Sequence, residues 1–330
     1  MSGTSERVLV TGGTGFLGAA LVRRLVALGK DVVVFDNNFR GKDERIAGVR
    51  DAVTLISGDI RDQDAVSRAA EGCKTIYHLA FVNGTRFFYE KPDLVLDVGV
   101  RGALTTLAAA RESGAAKYVL ASSSEVYQQP TQVPTPETER AIIPDVTNPR
   151  FSYAGGKLIS ELLALNMLRD TNVGVLIFRP HNVFGPNMGF EHVIPELVEK
   201  LYKATGGWAE KTCTLPIQGD GKETRAFCYV EDAVDQILAV ADAGTNREVY
   251  HIGQQNERAI RQLVADIAQV LDIKVEIQAG ELRSGGTTRR CPNIDKVRAL
   301  GYTHRDRYAE GLAETVVWYR DYWTRQGSNG

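Results

Sequence analysis

Cysteine is sparse in this 330-residue chain, and the four present, Cys73, Cys213, Cys228 and Cys291, make no Cys-x-x-Cys pair and no Cys/His cluster. That scatter argues against a disulfide framework and a metal site, and it predicts reduced thiols in a cytoplasmic protein. Long apolar runs are missing too: none approaches the roughly 18 residues needed to span a bilayer, so no membrane partner is expected. The opening residues, Met1 to Arg7, are polar and do not read as a signal peptide. A formal charge of −2 leaves no broad basic surface. This argues against a nucleic-acid partner and assigns any phosphate binding to local arginines. There is no internal repeat or low-complexity tract, and the ends, including Gln326–Gly330, read as frayed. At this length the chain exceeds one average domain and can bury a large core, with a second lobe left for substrate.

What is present is patterned. The apolar run Val8–Val10 feeds a glycine loop, Thr11-Gly12-Gly13-Thr14-Gly15-Phe16-Leu17-Gly18, followed by residues with helical periodicity. Strand, turn and helix in that order suit a dinucleotide: Gly12, Gly15 and Gly18 permit a tight turn, close approach to a pyrophosphate and close helix packing, while the helix N-terminus offers its N–H groups. The next strand, Asp31–Phe35, ends at Asp36, where a carboxylate can hold both hydroxyls of an adenosine ribose. Asp36 repels a 2′-phosphate, so NAD is favoured over NADP; nearby Arg40 weakens that preference without reversing it.

Two further segments carry chemistry. Tyr153 and Lys157 lie four residues apart, on one face of a predicted helix. A fixed ammonium beside a phenol lowers the phenol's pKa and makes it a general base. The apolar strand Tyr118–Ala121 runs into Ser122-Ser123-Ser124-Glu125, and ligands of an open parallel sheet bind beyond the carboxyl ends of its strands. A serine there can share a hydrogen bond with a substrate alcohol while Tyr153 takes its proton.

The glycine loop, Asp36, Gly58-Asp59-Ile60, His78-Leu79-Ala80, the serine strand, Tyr153-x-x-x-Lys157 and Arg179-Pro180-His181-Asn182-Val183-Phe184-Gly185-Pro186, taken in this order, resemble the extended short-chain dehydrogenase/reductase superfamily in its nucleotide-sugar epimerase/dehydratase branch. The match covers nearly the whole chain. It implies an α/β fold: a Rossmann-type doubly wound parallel sheet with a smaller, interleaved C-terminal substrate-binding lobe. Residues 1–180 are expected to form the NAD-binding domain, with returns near 227–253, and residues 181–330 mainly the nucleotide-sugar lobe. Further strands are expected at Val53–Ser57, Thr75–His78 and Val173–Phe178, and both Tyr229–Val234 and Val249–Gly253 are expected to return to the large sheet.

By the same resemblance Ser123, Tyr153 and Lys157 are the catalytic set, joined by Glu125. The cofactor-binding set is Gly12, Gly15, Phe16, Leu17, Gly18, Asp36, Asn37, Asp59, Ile60, Leu79 and Ala80, with Tyr153 and Lys157. Ser124, Thr85, Asn182, Arg225 and Arg290 are expected at the substrate, the last three near its diphosphate. Two long helices, Val95–Ser113 and Tyr153–Leu168, resemble those that pair in homodimers of the superfamily.

The resemblance implies oxidation at a sugar carbon, usually C4, to a keto sugar, and leaves the fate of that ketone open. C4 epimerisation is the favoured outcome. Dehydration, with Glu125 as acid–base, is the close second, and decarboxylation of a uronic acid and a non-catalytic NAD-binding regulator are the others. Ser123-Ser124-Glu125 resembles the Thr-Ser-Glu of GDP-mannose dehydratases and uronate decarboxylases and lacks the Asp-Glu pair of dTDP-glucose dehydratases. Three departures stand out: Gln128 where glycine usually follows the tyrosine, Gly99 in place of the usual asparagine, and the segment Phe81–Tyr89. That segment and Met188–His192 are expected to set substrate specificity.

Overall fold

A computed structural model describes residues 5–281 and 288–327; the expected frayed ends lie largely outside them. In chain order the elements of the first half are β1 (Arg7–Thr11), α1 (Phe16–Ala27), β2 (Asp31–Asp36), β3 (Val53–Ser57), α2 (Gln63–Ala70), β4 (Thr75–His78), α3 (Thr85–Glu90), α4 (Pro92–Glu112), β5 (Lys117–Ala121), α5 (Ser152–Met167) and β6 (Gly174–Pro180). The second half continues with β7 (Val183–Phe184), α6 (Val193–Ala204), β8 (Thr212–Ile217), β9 (Thr224–Ala226), β10 (Cys228–Tyr229), α7 (Val230–Ala243), β11 (Glu248–Ile252), β12 (Glu257–Ala259), α8 (Ile260–Leu271), β13 (Lys274–Ala279), β14 (Arg289–Arg290), α9 (Asp295–Arg298) and α10 (Tyr308–Gly327).

Seven strands form one parallel sheet in the order β11-β6-β5-β4-β1-β2-β3. Its inner strands are near-continuous buried runs, such as Val8–Thr11 and Val32–Phe35, as a sheet covered on both faces requires. One core joins Leu21 and Leu25 of α1 to Val234 and Ile237 of α7; the opposite core joins Val66 of α2, Leu107 of α4 and Ala164 of α5. The chain runs outward from β1 through β2 and β3, then crosses back to place β4 on β1's other side. The crevice between the carboxyl ends of β1 and β4 is therefore the topological switch point, where ligands of such sheets bind.

The remaining strands form three small sheets: β7 with β10, β8 with β13, and β12-β9-β14. Val249–Ile252 does return to the large sheet, inside β11 beside β6. Tyr229–Val234 corrects the expectation. Tyr229 ends β10, which pairs with β7, and Val230 opens α7, which covers the sheet instead of extending it. Glu231 and Asp232 in its first turn suit the positive end of a helix dipole. Among the described residues no helix is long and apolar enough to cross a membrane.

Candidate active site

The switch-point crevice is a groove lined by Gly12 and Gly15 after β1, Asp36 at the end of β2 and Asn37 beyond it, Asp59 and Ile60 after β3, and Leu79 and Ala80 after β4. Gly12 adopts φ +73°, and a Cβ there would lie 2.7 Å from the Ala80 nitrogen, so only glycine lets these two loops meet. Gly18 packs onto the Gly12 carbonyl from the first turn of α1. Its role is thus helix packing, and it is not part of the groove lining. Phe16 and Leu17 turn their side chains to the core. Only their backbone N–H groups, in a first turn that lacks intrahelical partners, are suited to a phosphate. The Asp36 carboxylate is held by Thr14 N at 3.1 Å and Asn38 N at 2.9 Å. Asp59 is locked by Arg61, 2.6 Å away, which lowers its pKa below the usual range through hydrogen bonding against a burial cost. A glycine floor, a helix N-terminus and a carboxylate ending β2 together fit a dinucleotide with free ribose hydroxyls.

Beyond this groove, α5 presents Tyr153 and Lys157 on its sheet-facing side, and both are buried. Lys157 Nζ donates to the Ala121 carbonyl at the end of β5 at 2.6 Å. Ser123 caps the short helical turn Ser124–Tyr127, its hydroxyl accepting from Glu125 N at 3.1 Å, and it lies within hydrogen-bonding reach of the Tyr153 phenol. The structure thus brings Ser123, Tyr153 and Lys157 together. Their electrostatics differ from the expected lowering of the phenol: burial pushes Tyr153 up, opposed by the Ser123 hydrogen bond and reinforced by Glu125. Burial also pulls Lys157 down to about 7, against the pull of Glu161. Low dielectric penalises both charged forms.

This has a sign in stability. Below about pH 7 both folded and unfolded chains keep the Lys157 proton, and the folded chain bears the cost of a buried ammonium. Between there and the ordinary lysine value the unfolded chain holds more protons, so stability rises with pH. Lys157→Met is expected to stabilise the protein more at about pH 6 than at about pH 9, as read from denaturant midpoints at the two pH values. Equal gains would mean that the lysine's burial is already compensated.

An apolar cap covers the pair. Phe88 of α3 stacks on the Tyr153 ring with centroids 5.0 Å apart, and Phe81 meets its edge at 5.2 Å; Val82 and Val95 complete the cluster. Phe39 touches Phe87 at 5.3 Å, and Arg40 lies 5.2 Å over the same ring, so the loop after β2 meets the cap. Thr85, expected at the substrate, sits exposed at the start of α3.

Glu125 and Arg290 also depart from expectation. They form an ion pair at 2.7 Å, and Arg150 lies 3.9 Å from the same carboxylate. Arg290 therefore faces a carboxylate where a diphosphate role was expected, and Glu125 is not a solitary base. Arg225 stands close enough for Arg290 to depress its pKa, after burial, and donates to the Thr224 carbonyl at 2.7 Å. Asn182, at φ +43°, donates to the Ala226 carbonyl at 3.2 Å, which makes it a brace for β9 at the same end of the fold. Ser124 is half-buried beside Ser123.

Behind the site, Arg179 makes a bidentate pair with Glu161, at 2.9 and 2.6 Å, with both side chains buried. Ser122 donates to Glu161, and the Tyr127 hydroxyl links Arg179 to His251 Nε2. Sequence reasoning missed Glu161, and it placed Phe81 and Phe88 only in a segment expected to set substrate specificity, without assigning either a contact to Tyr153 or Lys157.

The sequence profile of the NAD dependent epimerase/dehydratase family matches residues 8–253. The chain is 29% identical to UDP-N-acetyl-alpha-D-glucosaminuronate decarboxylase of Bacillus cytotoxicus, over 96% of this chain and 98% of that protein. It is 31% identical to UDP-glucose 4-epimerase of Mycolicibacterium smegmatis, over 96% and 99%. The structure of dTDP-glucose 4,6-dehydratase from Streptomyces venezuelae, solved with NAD and TYD bound, is similar at a TM-score of 0.81 and 31% identity, covering 96% of this chain and 97% of that one.

Proposed function

The chain belongs to the NAD-dependent epimerase/dehydratase family, and from that premise we propose that it is a nucleotide-sugar C4 epimerase working through a transient 4-keto sugar. The observation that carries this is the engagement of Glu125. Dehydration needs an acid–base group at the sugar beyond the Tyr153 pair, and the carboxylate expected to supply it is held by Arg290 at 2.7 Å with Arg150 behind. Epimerisation needs no such group. NAD, when bound in the groove, supplies hydride acceptance at C4 and its return. Tyr153 takes the O4 proton across the Ser123 hydrogen bond, and the apolar cap of Phe81 and Phe88 keeps water from the reacting atoms. The ketone then turns its other face, and Tyr153 gives the same proton back, leaving atoms and electrons balanced.

One observation favours uronate decarboxylation as a second reading. Arg290 and Arg150 bring two guanidinium groups to the Glu125 carboxylate, and Arg225 stands close enough to Arg290 to feel its charge, a cationic setting suited to an anionic sugar. The named relatives include a decarboxylase and an epimerase.

The deciding experiment incubates the protein with NAD and a panel of UDP-, GDP-, dTDP- and CDP-sugars, uronates included, in deuterated water. Unchanged mass with an inverted C4 coupling and no carbon-bound deuterium is the expected result. Loss of carbon dioxide establishes the second reading; loss of water with deuterium at C5 overturns both. Glu125→Gln is expected to lower kcat by less than about 10-fold and to act mainly on KM, whereas loss of a general acid–base group costs about 10²–10⁴-fold; a fall of that size returns Glu125 to a catalytic role.

We further propose a homodimer built on α4 and α5. These helices pack against each other and still expose Leu104 at 39% and Leu162 at 57%.

A further inference from the structure

Gly99 in α4 and Gly156 in α5 face a single ring. A Cβ built on Gly99 collides with the Phe81 ring tip, and one on Gly156 lies 2.9 Å from the same Cζ atom. Two glycines inside helices each forgo about 1 kcal/mol of helix propensity relative to alanine. Here they open a slot between α4 and α5, and Phe81 fills it. The seated ring turns its face to Lys157, whose Nζ stands 4.1 Å from the centroid, and lies at 81° to the Tyr153 ring. An ammonium within about 6 Å of an aromatic face is attracted by the ring quadrupole, and more strongly when desolvated. Lys157 is 4% exposed.

We propose that Phe81 is a positioning residue for the proton-transfer pair: its ring face holds the Lys157 ammonium in place beside Tyr153, and Gly99 with Gly156 form the slot that seats the ring. The proposal rests on the reading of Tyr153 and Lys157 as that pair. The Ala121 carbonyl fixes one N–H of the ammonium; the ring face stabilises its charge where water is excluded. A glycine at 99, where the superfamily resemblance leads one to expect asparagine, is then the counterpart of a phenylalanine at 81.

The other groups around Lys157 are accounted for. From α5 come Tyr153 and Glu161, whose carboxylate favours the ammonium. From β4 comes His78, held at about 3 by burial and then by Lys157 itself, hence neutral. From the turn after β5 comes Glu125, which acts on Tyr153. From β6 comes Arg179, whose charge is met by Glu161. None of these charged or titratable groups is removed when the ring is altered.

The test replaces Phe81 with tri- and pentafluorinated phenylalanines, which drain the ring face at nearly constant volume, and with Phe81→Leu. Lys157 titration is followed by NMR of its ¹³Cε resonance, assigned by its loss in Lys157→Met, with no substrate present. The expected result is a stepwise downward shift of the midpoint with fluorination, reaching roughly 0.5–1.5 pH units. A midpoint unmoved by fluorination overturns the proposal. Gly99→Ala tests the seat: it is expected to lower Tm by several degrees in the wild type and much less in the Phe81→Leu background. Equal effects in both overturn the slot. Because neither readout needs turnover, failure here is distinct from failure of the proposed reaction.

Discussion

Replacing Tyr153 with phenylalanine is expected to lower kcat by about 10²–10⁴-fold while leaving the fold and dinucleotide binding intact. The change removes one oxygen. The ring keeps its stacking on Phe88 and its edge contact with Phe81, so Tm should stay close to that of the wild type. What is lost is the proposed proton acceptor beside Ser123. Turnover, Tm and NAD affinity measured on the same preparation separate these effects, and a fall in kcat below about 10-fold would transfer the proton to another group. The pH profile of the unmodified protein adds a second constraint. With the phenol pushed up and Lys157 at about 7, the pair sheds its first proton near neutrality. The remaining proton can then sit on oxygen or on nitrogen, and the form with phenolate and ammonium is the competent base. The rate is expected to rise through the region near pH 7, and that limb belongs to the coupled pair and not to either residue alone.

Glu161→Ala is expected to destabilise the protein by about 3–5 kcal/mol, because it strands the Arg179 guanidinium without its partner in a buried site. Arg179 and Glu161 have side-chain exposures of 7% and 8%, so solvent offers little relief. Denaturant midpoints should fall accordingly, and the joint replacement of Glu161 by leucine and Arg179 by methionine should recover most of the loss. A single-variant effect below about 1 kcal/mol would put the pair in the class of solvent-screened surface bridges.

The parts of the site that were legible in the sequence are those in which neighbours in the chain are neighbours in space. The glycine loop, Asp36 at the end of β2, and Tyr153 one turn from Lys157 needed only strand and helix periodicity. Phe81 was read only as part of a specificity segment because its partners arrive from two helices distant in the chain, α4 and α5. The available signal was a pair of interior helix glycines, Gly99 and Gly156, with no turn to explain them. Glu125 and Arg290 lie 165 positions apart, and no local pattern links them. Tyr229–Val234 was misread because its apolar residues outweighed Glu231 and Asp232, the acidic pair that marks a helix start. Phe16 and Leu17 open α1, and helix geometry turns their side chains inward, a direction that the glycine spacing does not encode.

The contact of Phe39 and Arg40 with Phe87 has a kinetic meaning. The loop after β2 borders the dinucleotide groove from one bank, Phe81 and Val82 from the other, and the three side chains bridge the two banks. Release of a bound dinucleotide is then expected to be slowed by these ring contacts to the six-residue helix α3, whose loosening is a local opening. In a cycle that returns its hydride, nothing requires that release. On the proposed reading the bridge is expected to keep the cofactor in place from one turnover to the next, leaving the sugar as the traffic through the site.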